Sequence, residues 1–180
     1  VTGTPGHVNS MAESVKHFMR HFPIETMAEG DIYITNDPWM GTGHLNDFVL
    51  TTPCFRNGNP VALFACTAHV TDIGGIGTSP DGTDVHMEGV YIPMLKLASQ
   101  GVINDTLIKM IRANTRQPVE SEGDVYSLIA CNDIGGVRLV EMMEGFGLDA
   151  LARLADYICD SSYAAVMAEL SDLPKGVYRN

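Results

Sequence analysis

Two apolar runs separated by an Asn-Gly pair constrain this chain more than any other feature. Residues 48–55 and 61–68 flank Arg56-Asn57-Gly58-Asn59-Pro60, a strong short-range signal for a β-hairpin. A three-residue loop centred on Gly58 sets Asp47 opposite His69 and His44 opposite Asp72; a two-residue turn shifts that pairing by one. Facing residues of an antiparallel pair stand about 5 Å apart at Cβ. Two His-x-x-Asp units, His44-Leu45-Asn46-Asp47 and His69-Val70-Thr71-Asp72, are thereby gathered at one end of a sheet, which is a metal site in outline.

The two members of the first unit differ in parity, so on one regular strand His44 and Asp47 point to opposite faces. His44 joins Asp47 only if the strand starts after it or a bulge re-aims it. Gly41-Thr42-Gly43 upstream and Gly74-Gly75 downstream make both ends irregular loops. The expected ligands are His44, Asp47 and His69, with Asp72 as a fourth ligand or as the carboxylate that fixes a ligating imidazole. A single histidine at a strand end is more often a satisfied polar residue than a ligand. Two His-x-x-Asp units brought together by one hairpin are harder to dismiss. Imidazole and carboxylate without thiolate suit a divalent metal, namely manganese, iron or zinc.

With 180 residues and a net charge of −11, the chain is long enough for a sizeable core and ill-suited to phosphate backbones, so nucleic acid is not an expected partner. Cys54, Cys66, Cys131 and Cys159 form no C-x-x-C pair and read as reduced thiols of a cytoplasmic protein. Apolar runs stay well short of the roughly 20 residues that span a bilayer, so a soluble protein without a membrane partner is expected. The chain opens on Val1 with a Gly- and Pro-bearing stretch, which reads as a segment of something longer.

Helical spacing predicts a first helix capped by Asn9 or Ser10 and ended by Pro23. Short strands are expected at residues 32–34 and 90–97, with Pro93 favouring an edge or a bulge in the second. Residues 73–86 form a long Gly-rich loop beside the proposed metal. From Asn104 the pattern turns helical: one helix capped by Asn104, a long one from Pro118 interrupted by Gly135-Gly136, and a last one capped by Asp149. The expected class is α+β: a mixed, mainly antiparallel sheet with a flanking helix, then a long helical hairpin. The expected division is a β-rich metal-site portion at 1–103 and a helical portion at 104–180.

Other motifs carry less. Gly74-Gly75-Ile76-Gly77 is not a dinucleotide fingerprint and no Walker sequence occurs, so ATP binding is not expected of this chain alone. Cys66 sits mid-strand and reads as core. Asp37 either closes a turn or joins the site. Glu88 reads as an acid/base or a substrate contact, whereas His7, His17, His21 and His86 read as surface residues. Asp72, Glu88 and Asp37 are the catalytic candidates.

The segments Gly30-Asp31-Ile32-Tyr33-Ile34-Thr35-Asn36-Asp37-Pro38, Gly43-His44-Leu45-Asn46-Asp47 and Ala68-His69-Val70-Thr71-Asp72-Ile73-Gly74-Gly75 resemble the hydantoinase B/oxoprolinase family. Glu88-Gly89-Val90-Tyr91-Ile92-Pro93, Ile111-Arg112-Ala113-Asn114-Thr115-Arg116 and Glu122-Gly123-Asp124 extend that resemblance over nearly the whole chain. It implies a subunit of an ATP-dependent N-methylhydantoinase, 5-oxoprolinase or acetone/acetophenone carboxylase, working with a separate hydantoinase A-type ATP-using subunit in a hetero-oligomer. It also implies a manganese ligand set falling on His44, Asp47 and His69, and a chain that is an N-terminal portion of a longer subunit. The expected chemistry is ATP-dependent activation of a small carbonyl compound, a cyclic amide or a ketone, completed at the metal. The rival expectations are a non-catalytic assembly subunit with a structural metal, and a stand-alone metallohydrolase.

Overall fold

The computed structural model describes residues 7–77 and 79–177. The chain's opening stretch before His7, and Thr78 of the Gly-rich loop, lie outside them. Five strands, β1 (Ile32–Thr35), β2 (Asp47–Arg56), β3 (Asn59–His69), β4 (Leu95–Ser99) and β5 (Val102–Ile103), form one sheet in the order β3-β2-β1-β4-β5. Every neighbouring pair is antiparallel. The helices are α1 (Val8–His21), α2 (Val85–Glu88), α3 (Asp105–Asn114), α4 (Pro118–Gly145) and α5 (Ala152–Ser171). The α+β class read from the sequence holds.

The hairpin forms, by a different route from the one expected. Its turn is the two residues Asn57 and Gly58, with φ of 52° and 74°, the positive pair that a type I′ turn requires. The turn pairs Arg56 with Asn59 and Phe55 with Pro60; a register shift between Cys54 and Phe55 then sets Cys54 opposite Ala62. The three-residue loop is thus corrected to a two-residue turn plus a bulge. Together they restore the predicted register, and Asp47 faces His69.

Alternation along the strands divides the core. Ile32, Ile34, Phe48 and Leu50 join Leu97 and, from α3 and α4, Leu107, Ile108, Ile111, Val125 and Leu128 in the larger cluster. Tyr33 and Val49 point the other way and pack with Phe18 of α1, Met27 and Met94. Gly135-Gly136, a weak point for an isolated helix, has a packing reason in α4. A Cβ on Gly135 would stand 2.6 Å from the Phe64 ring, and one on Gly136 would stand 3.6 Å from Cys54 Sγ. The glycines let the helix lie close against the hairpin.

Three local expectations are corrected. The second short strand begins at Leu95 rather than Val90, because the backbone at 90–92 bonds to a side chain. Asn36 donates from Nδ2 to the Val90 and Leu45 carbonyls at 2.8 Å each and accepts from the Ile92 N–H at 2.6 Å. The first helix starts at Val8, ahead of Asn9 and Ser10, with no side-chain cap. The last starts at Ala152, again without a side-chain cap, so Asp149 is not its cap. Asn104 does cap α3, accepting from the Leu107 N–H at 3.2 Å. The described residues up to Val140 form one compact unit and those from Glu141 a second; α5, in the latter, has no buried residue.

Asp31, fully buried just ahead of β1, ties that strand to β4 and the turn after it. It accepts from Ala28 N (3.0 Å), Gln100 N (3.0 Å), Tyr33 Oη (3.1 Å) and Lys96 Nζ (2.7 Å). Burial alone would raise its carboxyl pKa, but the donors led by Lys96 outweigh it and hold the group below the ordinary carboxylate range. A depressed folded-state pKa means stabilisation that is complete above the unfolded value, about 3.9, and lost as pH falls through the folded one. Asp31→Asn is therefore expected to cost about 3 kcal/mol in urea melts at neutral pH. The gap to wild type should shrink steadily below pH ~4. At Gly135, an alanine is expected to destabilise by about 1–2 kcal/mol through overpacking. That penalty should shrink in a Phe64→Leu background, and equal penalties in both backgrounds would contradict the close-packing explanation.

Candidate metal centre

Asp47 opens β2 and His69 closes β3. His44 precedes the strand, in a turn where the Asp47 N–H donates to the His44 carbonyl at 3.2 Å. The parity conflict disappears because the strand starts after His44. The three side chains converge, with ligand atoms all within 4.8 Å of one another. Nδ1 of His69 lies 2.7 Å from Asp47 Oδ1, and Nδ1 of His44 lies 3.3 Å from Oδ2. The two imidazoles meet edge to face, centroids 5.7 Å apart. Thr42 Oγ1 donates to Asp47 Oδ2 at 2.7 Å.

The Asp47 side chain is 5% exposed, the His44 and His69 side chains 66% and 55%. Burial pushes the Asp47 carboxyl up. Donation from Thr42 and His69 and the charge of both imidazoles more than offset that, so the carboxyl lies below its usual range. The result is one fixed, ionised carboxylate beneath two accessible nitrogen donors. Ions of the manganese, iron and zinc class sit about 2.0–2.2 Å from such ligands, which puts ligand atoms roughly 3–4 Å apart. The ligand atoms lie 2.7 and 3.3 Å apart in the two histidine–carboxylate pairs and within 4.8 Å overall, close to that spacing, so the residues fit such an ion.

Beside His44 lies a cavity of about 880 Å³, lined among others by Trp39, Leu45, Val85, His86 and Glu88. The far part of the Gly-rich segment, from Gly82 to His86, forms one side of it. That segment is fastened to the core through its own backbone: Ile76 N donates to Met87 O at 2.9 Å and Val90 N to Ile73 O at 2.7 Å. Gly89 has φ of 146°, and a Cβ there would meet the Ile73 carbonyl oxygen at 2.2 Å, so only glycine permits this closure. Glu88 is half-buried at the end of α2 and lines the cavity.

The other two acidic candidates lie elsewhere. Asp72 is not in the His44–Asp47–His69 group. Its Oδ1 accepts from Gly74 N and Arg116 Nη1, each at 2.9 Å, and its Oδ2 from Gln117 N at 3.3 Å and from Arg116 N. Burial raises its carboxyl, and these donors bring it below the usual range. It clamps the start of the Gly-rich segment to the α3–α4 junction. Asp37 is 3% exposed; Oδ1 accepts from Trp39 N at 2.8 Å and Met40 N at 3.2 Å, and Oδ2 from Tyr91 Oη. That hydrogen bond, with burial added, pushes the Tyr91 phenol up to about 12. Sequence reasoning missed Thr42, Trp39 and Tyr91. Only the Gly-Thr-Gly run ahead of His44 hinted at a hydroxyl near the carboxylate.

The chain matches the hydantoinase B/oxoprolinase family over residues 1–180. It is 31% identical to caprolactamase subunit beta of Pseudomonas jessenii over 97% of its own length and 30% of that subunit's. It is 27% identical to 5-oxoprolinase 1 of Arabidopsis thaliana over 96% of its length, but only 15% of the relative's. The crystal structure of the ATP-dependent caprolactamase from Pseudomonas jessenii superposes on 96% of the chain with a TM-score of 0.83. A nucleotide-free acetone carboxylase structure, 19% identical, shares the fold over 85% of the chain with a TM-score of 0.73. The chain thus spans less than a third of the length of the relatives it matches. On this full-length match, the chain belongs to the hydantoinase B/oxoprolinase family.

Proposed function

We propose that this chain carries the metal-site portion of an ATP-dependent enzyme acting on a small cyclic amide or a ketone. ATP is used by a separate hydantoinase A-type subunit in a hetero-oligomer. The observation that carries the reading is the convergence of His44, Asp47 and His69, the first of which lines a cavity that Glu88 also lines. Similarity to a caprolactamase subunit and a 5-oxoprolinase favours ring-opening of a cyclic amide.

His44, Asp47 and His69 are the residues that would hold a divalent ion, manganese first among manganese, iron and zinc. Bound there, such an ion would supply Lewis-acid stabilisation of a carbonyl, enolate or phosphate oxygen. Asp47 stays ionised and is held by Thr42. Glu88 takes the proton of an attacking water or returns one to a leaving nitrogen. Asp37 and Asp72 act through position: the first sets the turn bearing Trp39, the second fastens the Gly-rich segment. A structural metal site is closed, whereas a catalytic one keeps an open position. The exposure of both imidazoles favours catalysis over a purely structural ion. All four cysteines are free, in keeping with a reducing, cytoplasmic setting; among the described residues, no helix is long and apolar enough to cross a membrane.

Elemental mass spectrometry should find about one manganese, iron or zinc per purified chain. Folded His44→Ala, Asp47→Ala and His69→Ala forms should each lose it. A folded wild type that takes up neither Mn²⁺ nor Zn²⁺ refutes the metal reading. Reconstituted with an ATP-using partner, the subunit is expected to show ATP-dependent turnover of hydantoin, 5-oxoproline, caprolactam or acetone. Glu88→Gln should lower kcat by about 10²- to 10⁴-fold. Ring-opening without ATP or partner would point instead to a stand-alone metallohydrolase.

A further inference from the structure

Trp39 is the chain's only tryptophan, and 73% of its surface is exposed where it lines the cavity. Its backbone is anything but loose. The Asp37 carboxylate accepts from the N–H groups of Trp39 and Met40, and from the Tyr91 hydroxyl on the far side. Thr35 Oγ1 accepts from the Asp37 N–H at 3.1 Å, and the Asp37 carbonyl accepts from Gly41 N at 2.6 Å. A large flat aromatic group is therefore mounted on a fixed turn and left open to solvent. The cavity's other lining includes Thr83, His86 and Glu88, which offer hydrogen-bonding groups. Ligand sites commonly combine an apolar wall with a few polar groups that fix orientation.

We infer that Trp39 is the specificity-determining wall of this cavity, on which the flat face of a planar five-membered cyclic amide of the hydantoin type stacks. The inference rests on the cavity being the substrate site of the proposed reaction. A hydantoin ring has two π faces and an edge of alternating N–H and C=O groups. Its face matches the indole, and an N–H on its edge matches the Glu88 carboxylate. A saturated seven-membered lactam is puckered and cannot lie flat on the indole. Acetone has neither a ring face nor an N–H. At about 880 Å³, the cavity also leaves room for a substituent on the ring. Asp37 and Tyr91 are positioning residues for the wall.

Because Trp39 is the sole tryptophan, its emission reports directly on this wall. Titrating the chain with hydantoin should change that emission saturably, with a Kd about three- to tenfold below those for caprolactam and acetone. Ligand-observed NMR extends the comparison to variants: Trp39→Phe should keep the preference for hydantoin, and Trp39→Leu should abolish it. Trp39 is largely exposed, so these variants are expected to fold. No saturable change with hydantoin overturns the inference, as does equal hydantoin affinity in Trp39→Leu and wild type. The same titration on Asp47→Ala separates this inference from the metal reading. Hydantoin binding that persists in folded, ion-free Asp47→Ala supports a wall that acts without the ion, and the same binding by a wild type that takes up no Mn²⁺ refutes only the metal. A chain that binds Mn²⁺ but leaves Trp39 emission unmoved refutes only the wall.

Discussion

The pairing of Asp47 with His69 across the first rung of the hairpin is the constraint on which the rest depends. Side chains in a strand alternate faces, so a one-residue slip would turn His69 away from Asp47 and send Phe48 and Leu50 into the smaller cluster and Val49 into the larger one. The hydrophobic face and the polar cluster therefore demand the same register. A type I′ turn alone would give the wrong one, and the shift between Cys54 and Phe55 corrects it. Because the larger core contains Phe48 and Leu50, packing energy holds the imidazole and the carboxylate together without either having to stabilise the fold.

A second principle operates where regular strand bonding stops. Between β1 and the site, backbone groups that have no ladder partner are met by buried polar side chains. Asn36 bridges Leu45, Val90 and Ile92, and Asp37 bridges its own turn and Tyr91. Asp72 does the same for the Gly-rich segment through Gly74, Arg116 and Gln117. An unmet buried donor costs about 1–3 kcal/mol. These carboxylates and the amide thus determine which irregular conformation the loops adopt. The residues around the cavity are positioned by this network as much as by the sheet.

What could be read from the sequence follows from that division. The hairpin, its register and the convergence of His44, Asp47 and His69 were legible because period-two alternation and an Asn-Gly turn are local signals. The bulge was not, since nothing in residues 54–61 marks which residue is left unpaired. Asp72 had the right residue type and spacing for the cluster, yet its carboxylate is held by Arg116, a partner 44 positions away that no local pattern reveals. The expected strand from Val90 failed for the same reason, because the competing partner was the side chain of Asn36. Asp149 matched a cap by type, but α5 starts at Ala152 without a side-chain cap. Long-range polar contacts are where sequence periodicity runs out.

The site's location in the chain bears on what this segment can do. Every lining residue of the cavity lies from Pro38 to Glu88, as do His44, Asp47 and His69. That stretch is the hairpin with its two flanking loops, so the proposed chemistry is concentrated in a continuous quarter or so of the sequence. The helices α3 and α4 do not line the cavity. They cover the sheet face beneath it, through Leu107, Ile111, Val125 and Leu128, and anchor Asp72 at their junction. A fixed carboxylate, two accessible imidazoles and a rigid aromatic wall are thereby built on one local scaffold. The cavity remains open to solvent beside it, so a substrate can reach the carboxylate, the imidazoles and the indole without any movement of the sheet.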